Sequence, residues 1–324
     1  MTVKSYAEAI NEAHQQLLAV DDRVFVIGQG VDSPWCVGTS TLGLIAKFGL
    51  ERVIDTPISE ALVTGAAVGA AMTGMRPIVF HPRMDFMYLA MDQIINHCAH
   101  WYYMFGGKVN VPVTIRGIIN RGNEQAAQHS QSPFAMYVHI PGLKVVCPAS
   151  PYEAKGLLIA AVRDDNPVLY CDDRWLYKIE EEVPDEIYEV PLGKGKIYRE
   201  GSAITIVAVS YLVKEAIKAA DLLATEGIFA EVIDPRTLKP LDIDIILESL
   251  EKTGRLVIAN PDWPCCSFSE HVVSMILKTS FNILKSPVQY VNFPDSAVPA
   301  STVLEKAFFP NYNDIINAVK NTLS

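Results

Sequence analysis

A chain of 324 residues, half of them hydrophobic, is long enough for about two domains with sizeable cores and too apolar to be disordered. Its 37 acidic residues outnumber 27 basic ones, for a formal net charge of -10, and no block of Lys or Arg occurs, which argues against a nucleic acid or an anionic membrane as partner. The six cysteines are scattered without a CxxC or a Cys/His ligand spacing, no run of about 18 apolar residues occurs, and Met-Thr-Val-Lys-Ser-Tyr carries no apolar leader; the expectation is a cytoplasmic protein with free thiols.

In chain order, Tyr6 to Val20 has apolar positions at helical spacing, and Val24-Phe25-Val26-Ile27 before Gly28-Gln29-Gly30 reads as a short buried strand leaving through a tight turn. Strand-like runs follow at Val53-Ile54, Pro77 to Phe80, Val111 to Ile115, Lys144 to Val146 and Val168 to Tyr170. Helix-like stretches lie between them, notably Met87 to Tyr103 and Tyr152 to Arg163. Strands without alternation, separated by helices, predict a parallel sheet covered on both faces. This first domain takes residues 1–178. Residues 179–201 are acidic, then rich in Pro and Gly, and read as a connection. Residues 202–324 repeat the α/β alternation, with strands at Ala203 to Val209, Ala230 to Ile233, Arg255 to Ile258 and Val288 to Val291, and helices at Val213 to Glu226, Ile243 to Lys252, Ser269 to Lys278 and Asn313 to Thr322.

Between the second and third strands stands Asp55-Thr56-Pro57-Ile58-Ser59-Glu60, running into a segment of small residues from Ala61 to Gly74. Thr56 or Ser59 suits a helix cap, Pro57 a first helical position, and Glu60 the opening turn, where the helix dipole favours negative charge. A helix of Gly65, Ala66, Ala67, Val68, Gly69, Ala70 and Ala71 is expected to be buried all round, placing Glu60 in a dry setting; an exposed first-turn Glu that merely stabilises the helix is the alternative. His129 follows a Gly/Asn/Arg-rich loop directly after a predicted strand, where α/β sheets place their chemistry, although a lone His is more often structural. His97 and His100 lie at i, i+3 without a third ligand in view. Gly28-Gln29-Gly30 lacks the third glycine and the later acid of a dinucleotide fingerprint, and there is no Walker loop, GxSxG or HExxH. Nor is there a Gly-Asp-Gly with a following Asn to hold a divalent metal on a diphosphate. The polar features that remain look like half of an active site.

The order Asp55-Thr56-Pro57-Ile58-Ser59-Glu60, the Gly/Ala helix, Asp92-Gln93-Ile94-Ile95-Asn96, His129-Ser130-Gln131, Pro141 to Val146, Ala154 to Leu158 and Asp234 to Asp242 resembles the beta subunits of the thiamine-diphosphate-dependent decarboxylating component of 2-oxo acid dehydrogenases of the pyruvate, branched-chain and acetoin types. The resemblance runs through nearly the whole chain. It implies a transketolase-like pyrimidine-binding domain followed by a transketolase C-terminal-like α/β domain. It also implies an α2β2 heterotetramer built on a beta-beta dimer, with a lipoyl acyltransferase as a further partner. Thiamine diphosphate would be shared with the alpha subunit, which supplies the Mg2+ site. By the same correspondence Glu60 would sustain the imino tautomer of the aminopyrimidine, Phe86 would stack on that ring, Ile58 and Gln29 would flank it, and His129 would orient the 2-oxo acid or shuttle protons. A potassium ion would sit at Val113, Ala161, Val162, Asp164 and Asn166.

The chain departs from the family at Gln29, where an acid is usual, at Phe80-His81-Pro82-Arg83, and at Ile258-Ala259-Asn260. These departures bear on the substrate: Arg83, with His81 beside it, is a candidate for binding an anionic group, and its alternative is an ordinary ion pair. A split transketolase-like subunit passing a ketol or acyl unit to a carbonyl acceptor, or a non-catalytic dimeric scaffold, are the competing readings of the whole.

Overall fold

The computed structural model describes every residue from Met1 to Ser324. Two compact units emerge: Met1–Arg121 with Met136–Leu192, and Gly122–Ala135 with Gly193–Ser324.

The first unit is built on strands β1 (Thr2–Ser5), β2 (Val24–Gly28), β3 (Val53–Asp55), β4 (Arg76–His81), β5 (Thr114–Ile119), β6 (Lys144–Val146), β7 (Val168–Asp173) and β8 (Glu180–Val183). Six of these run parallel in the order β6-β7-β5-β4-β2-β3. Every residue of β2, β5 and β7 is buried, as expected of strands covered on both faces. The predicted start of β5 at Val111 moves to Thr114 because Pro112 has no amide to give to a ladder. Helices Tyr6–Val20 and Pro151–Arg163 pack against each other. Ser5 and Glu8 form a capping box on the first, and Ser150 caps the second with Pro151 next to it. Between these helices the Lys155 ammonium is fully buried and bonded to Glu12 at 2.7 Å and to the Pro184 carbonyl at 2.6 Å.

Three expectations change. The acidic segment after residue 178 is not a bare connection: β8 pairs antiparallel with β1, Thr2 opposite Val183. The long helix expected over Met87 to Tyr103 is three pieces: a 3-10 helix Met84–Ala90, a π-helix Gln93–Ala99 and a short α-helix Trp101–Met104. The small-residue helix, Glu60–Met72, is buried on one face only, through Val63, Thr64, Ala67, Val68 and Ala71. Its other face is open, with Leu62 67% exposed and Ala66 and Gly69 also exposed.

The second unit carries β9 (Lys196–Arg199), β10 (Ile204–Ala208), β11 (Ala230–Asp234), β12 (Thr237–Lys239), β13 (Leu256–Ala259) and β14 (Gln289–Val291). Its five-stranded sheet runs β14-β13-β10-β11-β9, parallel except for β9. Helices Leu212–Thr225, Ile243–Thr253, Phe268–Thr279 and Tyr312–Leu323 accompany it, and Phe293, Val298, Phe308, Phe309 and Trp263 form a hydrophobic cluster. No helix of the chain is long and apolar enough to cross a membrane.

Inside the first sheet, Arg116 on β5 is fully buried. Its Nε donates to Asp172 Oδ2 at 2.8 Å, and its Nη2 donates to Ser40 Oγ at 2.6 Å and Tyr177 Oη at 3.1 Å. Burial works against the guanidinium charge, yet the Asp172 carboxylate and the Tyr177 hydroxyl hold its pKa above the ordinary value. Removing one partner strands a buried charge. Asp172→Ala is therefore expected to cost about 3–5 kcal/mol, while replacing both Arg116 and Asp172 by apolar residues of similar volume recovers most of it. Urea unfolding of the three variants checks this, and a single variant as stable as the parent would contradict it.

Candidate active site

In an open parallel sheet, ligand crevices form at the carboxyl ends of strands where successive connections leave in opposite directions. Here β3 lies on one side of β2 and β4 on the other. The residues just past their carboxyl ends line one narrow cleft: Gln29 after β2, Thr56, Pro57, Ser59, Glu60 and Val63 after β3, and Phe80, His81 and Pro82 at the end of β4. The floor is tight because β2 and β4 touch there. A Cβ on Gly28 would stand 2.3 Å from the Phe80 carbonyl oxygen, so no other residue fits. Asp55 Oδ1 accepts the Gly30 amide at 2.6 Å and closes the turn after β2 onto the end of β3.

Glu60 is the first residue of its helix, as expected, with Ser59 as the flanking residue. Ser59 makes no side-chain cap, so the first-turn amides keep their capacity for a ligand. Pro57 lies in the turn before the helix instead of at its first position. Thr56 Oγ1 is buried without a hydrogen-bond partner, a polar atom available to a ligand in the same cleft. His81 is 2% exposed, and its Nε2 lies 3.2 Å from the hydroxyl of Thr64, which stands one helical turn after Glu60. Burial pulls the His81 pKa down to about 4, so the imidazole among the lining residues is neutral.

Of the residues singled out from sequence, the cleft brings together Glu60, Gln29 and His81. Ile58 does not line it and is 71% exposed. Arg83 and Phe86 sit at the start of the 3-10 helix that leaves the cleft after Pro82, and neither is on its lining. Arg83 Nη1 donates to the Pro82 carbonyl at 2.9 Å. Burial and the nearby Arg174 guanidinium lower the Arg83 pKa. His129 is half-buried on the Gly122–Ala135 segment, which folds with the second unit. Thr64 was missed, and Thr56, expected as a helix cap, is instead a cleft hydroxyl; the signal for Thr64 was a lone hydroxyl in a run of Gly, Ala and Val four residues past Glu60.

The positions matched to a potassium ion are engaged within the chain. The carbonyls of Val162 and Asp164 accept from Arg76 Nη1 at 2.9 and 3.0 Å, and that of Val113 accepts from the Val168 amide at 3.0 Å. The Asp164 carboxylate pairs with Lys144 and accepts the Asn166 amide. Each carbonyl keeps a second lone pair, so a cation here would share acceptors with Arg76.

On its open side the Glu60–Met72 helix forms an apolar groove with Gln93, His97 and Trp101, floored by Gly65, Ala66 and Gly69. His97 is held by Asp92 at 3.4 Å and by an edge contact with Trp101.

Family models of the transketolase pyrimidine-binding domain and the transketolase C-terminal domain match residues 3–179 and 193–315. The chain is 44% identical over 313 residues to the pyruvate dehydrogenase E1 component subunit beta of Rickettsia bellii, covering 97% of this chain and 96% of that one. It is 43% identical over 334 residues to the acetoin:2,6-dichlorophenolindophenol oxidoreductase subunit beta of Bacillus subtilis, covering 99% and 97%. Among solved structures, a split gene transketolase described as an inactive beta4 tetramer shares the fold with a TM-score of 0.80 at 24% identity, over 98% of each chain.

The buried imidazoles have a consequence for stability. His81 titrates at about 4 in the folded chain and His14, buried beside Arg116, at about 3, against 6.5 for a free side chain. The unfolded chain therefore takes up these protons first. The stability tied to neutral imidazoles is whole above pH 6.5 and is lost as pH falls from there toward about 4 for His81 and about 3 for His14, at about 1.4 kcal/mol per pH unit for each. Urea unfolding between neutral pH and about pH 5 should show this slope, and His81→Asn should make it shallower. An equal slope in the variant would show that His81 is not neutral in the fold.

Proposed function

The chain belongs to the transketolase-type family that takes in the beta subunits of pyruvate dehydrogenase E1 and of acetoin oxidoreductase, and on that premise we propose that it is the beta subunit of a thiamine-diphosphate-dependent 2-oxo acid dehydrogenase. The observation that carries the reading is the cleft at the carboxyl ends of β2, β3 and β4, lined by Glu60 in the first turn of a helix and by neutral His81. The fit to the pyrimidine half of the cofactor rests on its donor set: one carboxylate, one unpartnered hydroxyl on Thr56, and apolar walls from Val63 and Phe80. When bound, thiamine diphosphate supplies the nucleophilic carbon and the electron sink for decarboxylation. The Glu60 carboxylate would hold a proton at a pyrimidine ring nitrogen of the bound cofactor. The imidazole of His81, uncharged, brings no positive charge into the cleft to compete with the ring proton for the carboxylate. By family correspondence Phe86 supplies a stacking ring, and His129 orients the oxo acid or passes a proton during acyl transfer.

The cleft is narrow, and no cluster of three or more metal-ligating side chains is present in the chain. The same proposal therefore places Mg2+ and the diphosphate on an alpha subunit, within an α2β2 assembly. The open small-residue face of the Glu60–Met72 helix is the surface offered to a neighbouring subunit. A potassium ion at Val113, Ala161, Val162, Asp164 and Asn166 is the remaining part.

Glu60→Gln preserves shape and removes the charge. Activity of the enzyme reconstituted with its alpha subunit should fall by at least about 100-fold while the urea midpoint of this chain stays put. A cofactor-saturated variant with undiminished turnover would overturn the assignment.

Arg83 we assign to the preference for an acceptor or substrate with a second anionic group, because its charge lies on the segment that leaves the cleft and an Arg fork suits a carboxylate or phosphate. Arg83→Phe should raise the ratio of kcat/KM for pyruvate over that for a dicarboxylic oxo acid, and an unchanged ratio leaves Arg83 a structural residue.

A further inference from the structure

Cys265 and Cys266 are adjacent in sequence and both exposed, with their sulfurs 3.9 Å apart, whereas Cys98, Cys147 and Cys171 are buried. The turn that carries the pair is pinned on both sides. Before it, Trp263 Nε1 donates to the Ser296 carbonyl at 2.8 Å. After it, Ser267 caps the Phe268–Thr279 helix by accepting the Glu270 amide. Cys266 itself stands at φ +53, a conformation that a non-glycine residue adopts only when its surroundings impose it. The two thiols are thus held on one side of a fixed turn instead of sampling independent directions.

That spacing selects a chemistry. Neighbouring Cα atoms are about 3.8 Å apart, below the roughly 4.4–6.8 Å that an ordinary disulfide spans, so a direct S–S bond is disfavoured. Two sulfurs bonded at about 2.3 Å to one pyramidal trivalent centre, with an angle of roughly 95–100°, stand about 3.5 Å apart, a few tenths of an ångström inside the spacing present. No third ligand completes a resident metal site. We propose that Cys265–Cys266 is a chelating dithiol site for thiophilic ligands of the trivalent-arsenical class.

With an organoarsenic oxide, two S–H bonds and the As=O bond are lost and two As–S bonds and one water form; arsenic stays trivalent and no oxidant is needed. The occupant also touches the function. Asp262, three residues before Cys265, accepts the Ala135 amide at 3.4 Å, and the Pro261 carbonyl accepts the Ser132 hydroxyl. Both partners lie on the Gly122–Ala135 segment that bears His129, so a clamp on the dithiol bears on the backbone that holds this loop.

Phenylarsine oxide and the full-length chain supply the test, read by intact-protein mass spectrometry. One adduct per chain, carrying one arsenic with loss of one water, should form, survive a monothiol such as mercaptoethanol, and leave on addition of a vicinal dithiol. In Cys265→Ser, and separately in Cys266→Ser, the monothiol-resistant adduct should disappear, while Cys36→Ser keeps it. Both substitutions are at exposed positions, and circular dichroism verifies the fold. A monothiol-resistant adduct that persists in either variant, or its absence from the folded parent, overturns the proposal.

Discussion

A guanidinium buried in the centre of a parallel sheet is the constraint from which the first unit takes its shape. Arg116 has no exposed surface, and its position is tolerable only because Asp172, Tyr177 and Ser40 converge on it. Those partners come from the neighbouring strand β7, from the 3-10 turn after it and from the loop that follows β2, so one charge binds three separate stretches of chain. The same guanidinium lies 5.4 Å from the Phe80 ring, and Phe80 lines the cleft. The charged core and the chemistry-bearing rim are thus consecutive layers of one sheet.

The rim itself is economical. Three strand ends, one close backbone approach at Gly28 and one helix opening create a cleft in which a carboxylate, a hydroxyl and a neutral imidazole are the polar groups that matter. The helix that carries Glu60 leaves a face of small residues uncovered. The departures at Phe80-His81-Pro82-Arg83 fall along the same rim: His81 enters the cleft wall, whereas Arg83 sits on the way out with part of its donor capacity given to the Pro82 carbonyl.

Much of this was legible in the residues. The non-alternating runs at Val24 to Ile27 and Val168 to Tyr170 specify strands buried on both faces, since nothing polar on them could meet water. The order Asp55 to Glu60 before a small-residue helix specifies an acid in a first turn, because the dipole and the free amides act within that turn alone. The family resemblance attached a chemistry to that acid, and the match to beta subunits over nearly the whole chain bears out the family.

What the sequence by itself determined, then, was local: which segments are helix or strand, where an acid opens a helix, and which family the motif order belongs to. The tertiary structure decided whatever depends on residues distant in the chain. It placed Gln29, Glu60 and His81 in one cleft and left Ile58 exposed, since strand order and not sequence spacing sets which carboxyl ends are neighbours. It opened one side of a helix whose composition reads as buried all round, because composition carries no record of which faces find a neighbour within the same chain. It broke the expected Met87 to Tyr103 helix into 3-10, π and α turns, a change of hydrogen-bond register to which hydrophobic periodicity is blind.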